Sequence, residues 1–62
     1  MIEVTRLNGE LLSINEDLIE FMEETPDTVI SFLTGKKLVV KENKKEIEQK
    51  IVAFKRKIYC LK

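Results

Sequence analysis

The apolar positions in the first part of the chain recur in short runs, several of them with a period of two. Residues 2–7 (IEVTRL) are rich in β-branched side chains and end at Asn8-Gly9. This dipeptide most readily supplies the two positive-φ residues of a type I′ turn. Because residues 10–14 can return as a partner strand, the sequence predicts an N-terminal β-hairpin.

The segment over residues 15–24 fits two patterns. Apolar residues at positions 14, 18, 21 and 22 share one helical face, whereas Ile19 and Phe21 also fit a strand. The segment is short, Pro26 follows it, and a strand here would improve the balance of paired strands. We therefore expect a strand over residues 18–24, with a helix as the alternative.

Two further strands are predicted after this segment. Thr25-Pro26-Asp27 is typical of a turn, because Pro fixes φ and Asp can bond its own backbone. Residues 28–33 (TVISFL) then carry bulky side chains on both faces of a strand, and Thr34-Gly35 turns the chain into residues 36–40 (KKLVV). A strand that is apolar on both faces needs cover on both faces.

The last part of the chain has the pattern of a helix. Asn43 is a good N-cap, and Glu46 three residues later completes a capping-box pattern in which Asn replaces the usual Ser or Thr. Apolar residues then recur at spacings of four and three, which is typical of a narrow apolar stripe on one helical face. This stripe, which we call the apolar seam, consists of Ile47, Ile51, Phe54, Ile58 and Leu61.

These elements predict an α+β fold in a single domain over residues 1–62. An antiparallel meander of about five strands occupies residues 1–41, either as an open sheet or curled into a small barrel, and one C-terminal amphipathic α-helix occupies residues 43–59. One helix covers one face of a sheet, so an open sheet would leave a second face for another subunit to cover. We expect a homo-oligomer, because a lone core of this size rarely contributes more than about 3–5 kcal/mol.

The residues expected at an oligomer or partner interface belong to the second sheet face and the apolar seam. They are Val29, Ile30, Phe32, Leu33, Val39, Ile47, Ile51, Phe54 and Ile58.

The composition argues against an enzyme or a metal protein. The chain has no histidine and one cysteine, Cys60, so it lacks the usual activating base and the usual zinc ligands. The acidic residues between positions 16 and 24 are more typical of a solvated face than of a catalytic pair. We therefore expect no catalytic residues, no cofactor, no metal site and no small-molecule substrate.

The same features predict a cytoplasmic protein. A lone cysteine fits a reducing compartment, and the charged N-terminal residues do not form the apolar core of a signal peptide. No run of apolar residues is long enough to form a transmembrane segment.

Charge is balanced overall, with 11 basic and 11 acidic residues, but the two signs are separated along the chain. Eight acidic residues and one basic residue lie in positions 1–27, whereas positions 36–62 hold ten basic and three acidic residues. The basic run near the C-terminus is a candidate contact for nucleic acid, although Lys and Arg are also common on the solvent side of a helix. It consists of Lys50, Lys55, Arg56, Lys57 and Lys62.

Four segments of the chain form a distinctive set: VTRLNG (4–9), INEDLIE (14–20), ETPDTVI (24–30) and TGKKLVVKE (34–42). Together they resemble the FlbD/SwrD family of small bacterial flagellar and swarming motility proteins, within a likeness that runs from Met1 to about Arg56. The chain departs from the family at Ser31-Phe32, where relatives tend to have Thr and Leu, and at the helix start ENKKE, where they tend to have ESxxE. The second change makes the helix start more basic.

The resemblance implies a cytoplasmic accessory protein of flagellar motility, near the flagellar base at the inner membrane. It implies that the protein supports motor power through the stator complexes. The uncovered sheet face and the resemblance together lead us to expect that the protein binds itself and motor or stator proteins. No catalytic residues carry over. The alternative is a small nucleic-acid-binding regulator of flagellar genes that uses the basic helix.

The two turns of the resemblance form a candidate shared surface. Its residues are Thr5, Arg6, Asn8, Gly9, Thr25, Pro26 and Asp27.

Overall fold

The computed structural model of the protein describes residues 1–59, and five strands are followed by one helix. The predicted seam residue Leu61, the cysteine Cys60 and the basic Lys62 lie outside the described residues. The elements are β1 (Ile2–Thr5), β2 (Leu11–Ile14), a 3₁₀ turn (Glu16–Leu18), β3 (Ile19–Glu23), β4 (Thr28–Phe32), β5 (Lys37–Val40) and α1 (Lys44–Tyr59). The α+β class and the strand predicted over residues 18–24 are thereby confirmed.

The strands form two antiparallel sheets, β1-β2 and β3-β4-β5. A single β-bridge between Arg6 and Val40 joins the sheets, and the Lys41 N–H donates to the Thr5 carbonyl at 2.8 Å beside it. β1 therefore lies next to β5, and β2 and β3 are the two edge strands. The sheets do not close, so the small barrel allowed by the sequence pattern is wrong.

The first hairpin turn differs from the predicted type I′ turn. Gly9 has a φ of 92°, and within residues 1–59 no non-glycine residue has a positive φ. The Gly9 N–H donates to the Arg6 carbonyl at 2.9 Å and the Arg6 N–H donates to the Glu10 carbonyl at 2.8 Å, which makes a three-residue loop. The loop over residues 33–35 has the same pattern, with Gly35 also at 92°.

The start of α1 confirms the predicted capping box. The Glu46 N–H donates to Asn43 Oδ1 at 2.8 Å, and the Asn43 N–H donates to Glu46 Oε1 at 2.9 Å. Each side chain therefore satisfies a backbone donor that the helix leaves unpaired. The helix then continues for 16 residues, with Arg56 and Lys57 in its last turn.

The core lies between α1 and one face of the two sheets, which we call the inner face. Ile47 of α1 is fully buried, whereas Ile51 and Phe54 are half-buried against the core and Ile58 is 47% exposed. The apolar seam therefore extends beyond the surface that it covers. The buried core residues are Ile2, Val4, Ile14, Ile30, Val40 and Ile47.

Ile47→Val and Ile58→Val form a matched pair of variants. Each removes one methylene and changes the helix propensity by the same amount, so a difference between their stabilities reports how deeply each side chain is buried. We expect Ile47→Val to lower the free energy of unfolding by about 0.5–1.5 kcal/mol. Ile58→Val should change it by less than about 0.5 kcal/mol. Urea denaturation followed by circular dichroism measures both, and equal losses would contradict the observed packing of α1.

Candidate protein-binding surface

The three-stranded sheet has a second face, opposite the core, which we call the outer face. The register places Phe21, Ser31 and Lys37 in one cross-strand row. Glu23, Val29 and Val39 form a neighbouring row. Because side chains alternate along a strand, both rows point away from Ile30 and the core.

The outer face combines apolar groups with opposite charges at its margins. Phe21 is 47% exposed, and Val29 and Val39 are half-buried. Glu23 and Lys37 are exposed on the two outermost members of the three-stranded sheet, β3 and β5. An apolar centre with a polar rim is the usual arrangement of a protein interface.

Ser31 is the unusual residue of this face. It is only 4% exposed, and its hydroxyl has no hydrogen-bond partner among residues 1–59. The register places it between Phe21 and Lys37. Buried hydroxyls normally have a partner, so Ser31 is an exception among the described residues.

The predicted interface residues separate into three groups. Ile30 and Ile47 are fully buried in the core, so they cannot contact a partner while the chain is folded, which corrects the expectation for these two. Val29 and Val39 lie on the outer face. Of the remaining residues, Phe32, Ile51 and Phe54 pack half-buried against the core, and Leu33 and Ile58 are exposed.

Phe21 belongs to the outer face, although the sequence did not mark it as an interface residue. The apolar pattern over residues 15–24 fits a helix as well as a strand. The sequence alone therefore does not show which face each side chain occupies. A β-bulge between Ile19 and Phe21 adds a further shift of register. Once the strand is assigned, the alternation between Phe21 and Met22 is the signal that separates the two faces.

Leu7 is 54% exposed and lines two clefts, each of which also includes residues of one turn of the family resemblance. The first cleft has a volume of ≈ 390 Å³, and its lining includes Pro26 and Asp27. Its lining residues are Leu7, Glu24, Pro26, Asp27, Thr28, Val40, Lys41 and Asn43.

The second cleft that Leu7 lines has a volume of ≈ 270 Å³. It is lined by Arg6, Leu7, Asn8, Lys37, Leu38 and Val39. The second cleft shares Lys37 and Val39 with the outer face, so Leu7 extends that face toward the first turn. Gly9 and Thr25, the remaining exposed residues of the predicted turn surface, line neither cleft.

Thr5 has a structural role that the sequence did not suggest. Its N–H donates to Glu42 Oε1 and its hydroxyl donates to Glu42 Oε2, each at 2.8 Å. Partial burial raises the pKa of Glu42, but the hydrogen bonds from Thr5 outweigh it, so the pKa is lowered overall. Glu42 thereby ties the segment before α1 to the first hairpin.

A second group of charges holds the C-terminal half of α1. Glu16, whose side chain is 3% exposed, pairs with the Met1 ammonium group at 2.9 Å and with Lys55 Nζ at 3.3 Å. Lys55 also pairs with Asp17 at 2.7 Å. The hydrogen bond from the ammonium group is the largest cause that lowers the pKa of Glu16, and the bond to Asp17 chiefly raises the pKa of Lys55.

Comparison with models of known protein families gives a match over nearly the whole chain. The family model described as flagellar and swarming motility proteins matches residues 1–59 of the 62-residue chain. None of the curated proteins matches the chain, and none of the solved structures does. In the described residues, α1 is too short and too polar to cross a membrane.

Glu42→Gln tests the link between the hairpin and α1. The lowered pKa means that the charged carboxylate stabilises the fold above its ordinary pKa of about 4.3 and that this contribution disappears as the pH falls. At pH 7 we expect a loss of about 1 kcal/mol, a modest value because solvent screens a partly exposed pair. The difference from wild type should shrink toward pH 3.

Glu48→Gln is the matched control, because Glu48 is exposed on α1 and its replacement should change the free energy of unfolding at pH 7 by less than about 0.5 kcal/mol. Urea denaturation at a series of pH values compares the three proteins. A constant difference between Glu42→Gln and wild type from pH 7 to pH 3 would contradict the role of the charged carboxylate.

Proposed function

Because the chain belongs to the family of flagellar and swarming motility proteins, we propose that it is a non-enzymatic accessory protein of flagellar motility. It acts in the cytoplasm near the flagellar base, binds a motor component and associates with itself. The stator complexes are the first candidates for the motor component. The observation that carries the binding role is the apolar outer face, with Leu7 at its margin.

The exposed side chains of this surface suit a protein partner. Phe21 and Leu7 are about half exposed, and burying an apolar side chain completely contributes about 1.5–3 kcal/mol. A few large side chains at the centre of an interface carry most of its affinity. The partner is therefore expected to present apolar side chains to Phe21 and opposite charges to Glu23 and Lys37.

Protein binding is better supported than nucleic-acid binding. Lys55 belongs to the basic run, but it pairs with Glu16 and Asp17 within the chain. Two carboxylates beside it would repel phosphate groups, and a nucleic acid would have to displace them. Lys50 is half-buried, which leaves Arg56 and Lys57 as the exposed cations of the run within the described residues.

Phe21→Glu tests the outer face in cells, with Val52→Glu as a matched control. Both residues are large, apolar and about half exposed, but Val52 lies on the solvent side of α1. We expect Phe21→Glu to reduce swarming and to weaken partner binding by about tenfold or more. Val52→Glu should swarm like the wild type.

A photo-crosslinking amino acid at position 21 identifies the partner in the same cells, and the same group at position 52 controls for random capture. We expect a motor or stator protein to be captured at position 21 and not at position 52. Wild-type swarming by a folded Phe21→Glu protein, or equal capture at both positions, would contradict the proposed binding surface.

Fluorescence anisotropy with labelled DNA and RNA tests the alternative function. At about 50 mM salt, where counterion release favours non-specific complexes, we expect no binding. Tight binding that weakens steeply with added salt would instead support a nucleic-acid-binding regulator.

A further inference from the structure

The two edge strands, β2 and β3, have backbone N–H and C=O groups that make no hydrogen bonds within the sheets. In an antiparallel ladder, residues alternate between pairs that bond across the ladder and pairs whose N–H and C=O groups point outward. The Arg6 to Glu10 hydrogen bond sets this alternation for the first hairpin. Leu11 and Ser13 of β2 therefore direct their N–H and C=O groups away from β1.

The opposite edge of this hairpin is already occupied. Thr5 is an outward residue of β1, its N–H donates to Glu42 and its carbonyl accepts from Lys41. β2 has no such cover, because within residues 1–59 no hydrogen bond reaches the outward groups of Leu11 or Ser13. The free edge of the hairpin is therefore β2.

The two edge strands differ in the features that prevent pairing with a strand of another molecule. β3 has a bulge after Ile19 and carries the carboxylates Glu20 and Glu23. Bulges and charges are the usual protection of an exposed edge. β2 has the sequence LLSI, with no charge, no proline and no bulge, and its Leu11 is 67% exposed.

We propose that β2 pairs antiparallel with β2 of a second copy of this chain, which forms a continuous four-stranded sheet across a two-fold axis. Leu11 of each copy lies opposite Ser13 of the other, and the two Leu12 side chains meet at the axis. This register uses all four outward N–H groups and all four outward C=O groups that Leu11 and Ser13 supply in the two copies. The inference rests on the self-association included in the proposed function.

A second copy is the occupant that this edge fits best. The pattern of donors and acceptors over Leu11, Leu12 and Ser13 is self-complementary, as a two-fold interface requires. No charge is repeated across the axis, whereas pairing β3 with its own copy would bring together two strands that each carry two carboxylates, Glu20 and Glu23. The outer face lies on the other sheet and remains free to bind a partner.

The dimer is expected to be weak. A four-residue edge buries far less than the roughly 800 Å² per partner of a standard interface. We expect a dissociation constant on the order of 100 µM, so the dimer would be populated at high local concentration.

Amide hydrogen exchange at rising protein concentration tests the edge directly. Between about 10 µM and about 1 mM, the Leu11 and Ser13 amides should become protected about fourfold, because a dissociation constant on the order of 100 µM leaves about a fifth of the chains monomeric at about 1 mM. The Met22 amide is the internal control, because the register makes it the outward donor of β3. Protection of Met22 without protection of Leu11 and Ser13 would overturn the proposal.

Ser13→Pro removes one of the outward donors and spares the ladder to β1, since proline is tolerated on an edge strand. We expect sedimentation velocity to show dimerisation weakened at least tenfold. Ser13→Thr, which keeps the N–H, should dimerise like the wild type. If Ser13→Pro does not fold, Ser13→Lys places a charge near the axis and should weaken the dimer equally.

The outcomes separate this inference from the proposed function. Dimers that Ser13→Pro and Ser13→Lys leave intact, but that Phe21→Glu dissolves, would overturn the β2 edge and retain self-association. A wild-type protein that stays monomeric to about 1 mM would overturn both the edge and self-association. If Ser13→Lys abolishes the dimer but leaves photo-capture at position 21 unchanged, this would support separate roles for the two surfaces: the β2 edge for self-association and the outer face for partner binding.

Discussion

One helix packed against the inner face of two linked sheets is the constraint on which the rest of the structure depends. Ile47 is completely buried with residues from both sheets, including Val4 of the hairpin and Ile30 of β4. The burial of these side chains holds the two sheets together beneath α1. It also leaves the outer face without cover from α1, so the same packing that folds the chain produces its candidate binding surface.

Two polar links help to determine where α1 lies on the two sheets. Glu42, just before the helix, bonds Thr5 of β1, and Lys55 in its C-terminal half pairs with Glu16 and Asp17. Both links join the helix region to the first third of the chain. They position Lys41 and Asn43 near Leu7. They also neutralise the charge of Lys55, which is one of the residues of the basic run. The charge separation along the sequence is thus partly neutralised within the fold.

The local features of this fold could be predicted from the sequence because short-range chemistry determines them. The capping box of Asn43 and Glu46 and the strands of the meander depend on neighbouring residues, and both were predicted. The type I′ turn was wrong, because Asn8 uses its side chain to accept the Glu10 N–H and only Gly9 takes a positive φ. A dipeptide rule does not distinguish a two-residue loop from a three-residue loop.

The long-range features could not be predicted in the same way. Thr5 and Glu42 are 37 positions apart, and no periodicity connects them. Ile30 was expected at an interface because β4 is apolar on both faces, and only the packing of α1 shows which face is internal. Phe21 was missed for the related reason that its segment fits two periods.

The central claim is that α1 protects the inner face and leaves the outer face open to solvent. Paramagnetic broadening of side-chain NMR signals by a soluble gadolinium complex measures this on the isolated protein. The account predicts strong broadening of the Phe21 and Val39 signals and little broadening of those of Ile30 and Ile47. Equal protection of both sets in dilute solution would contradict it.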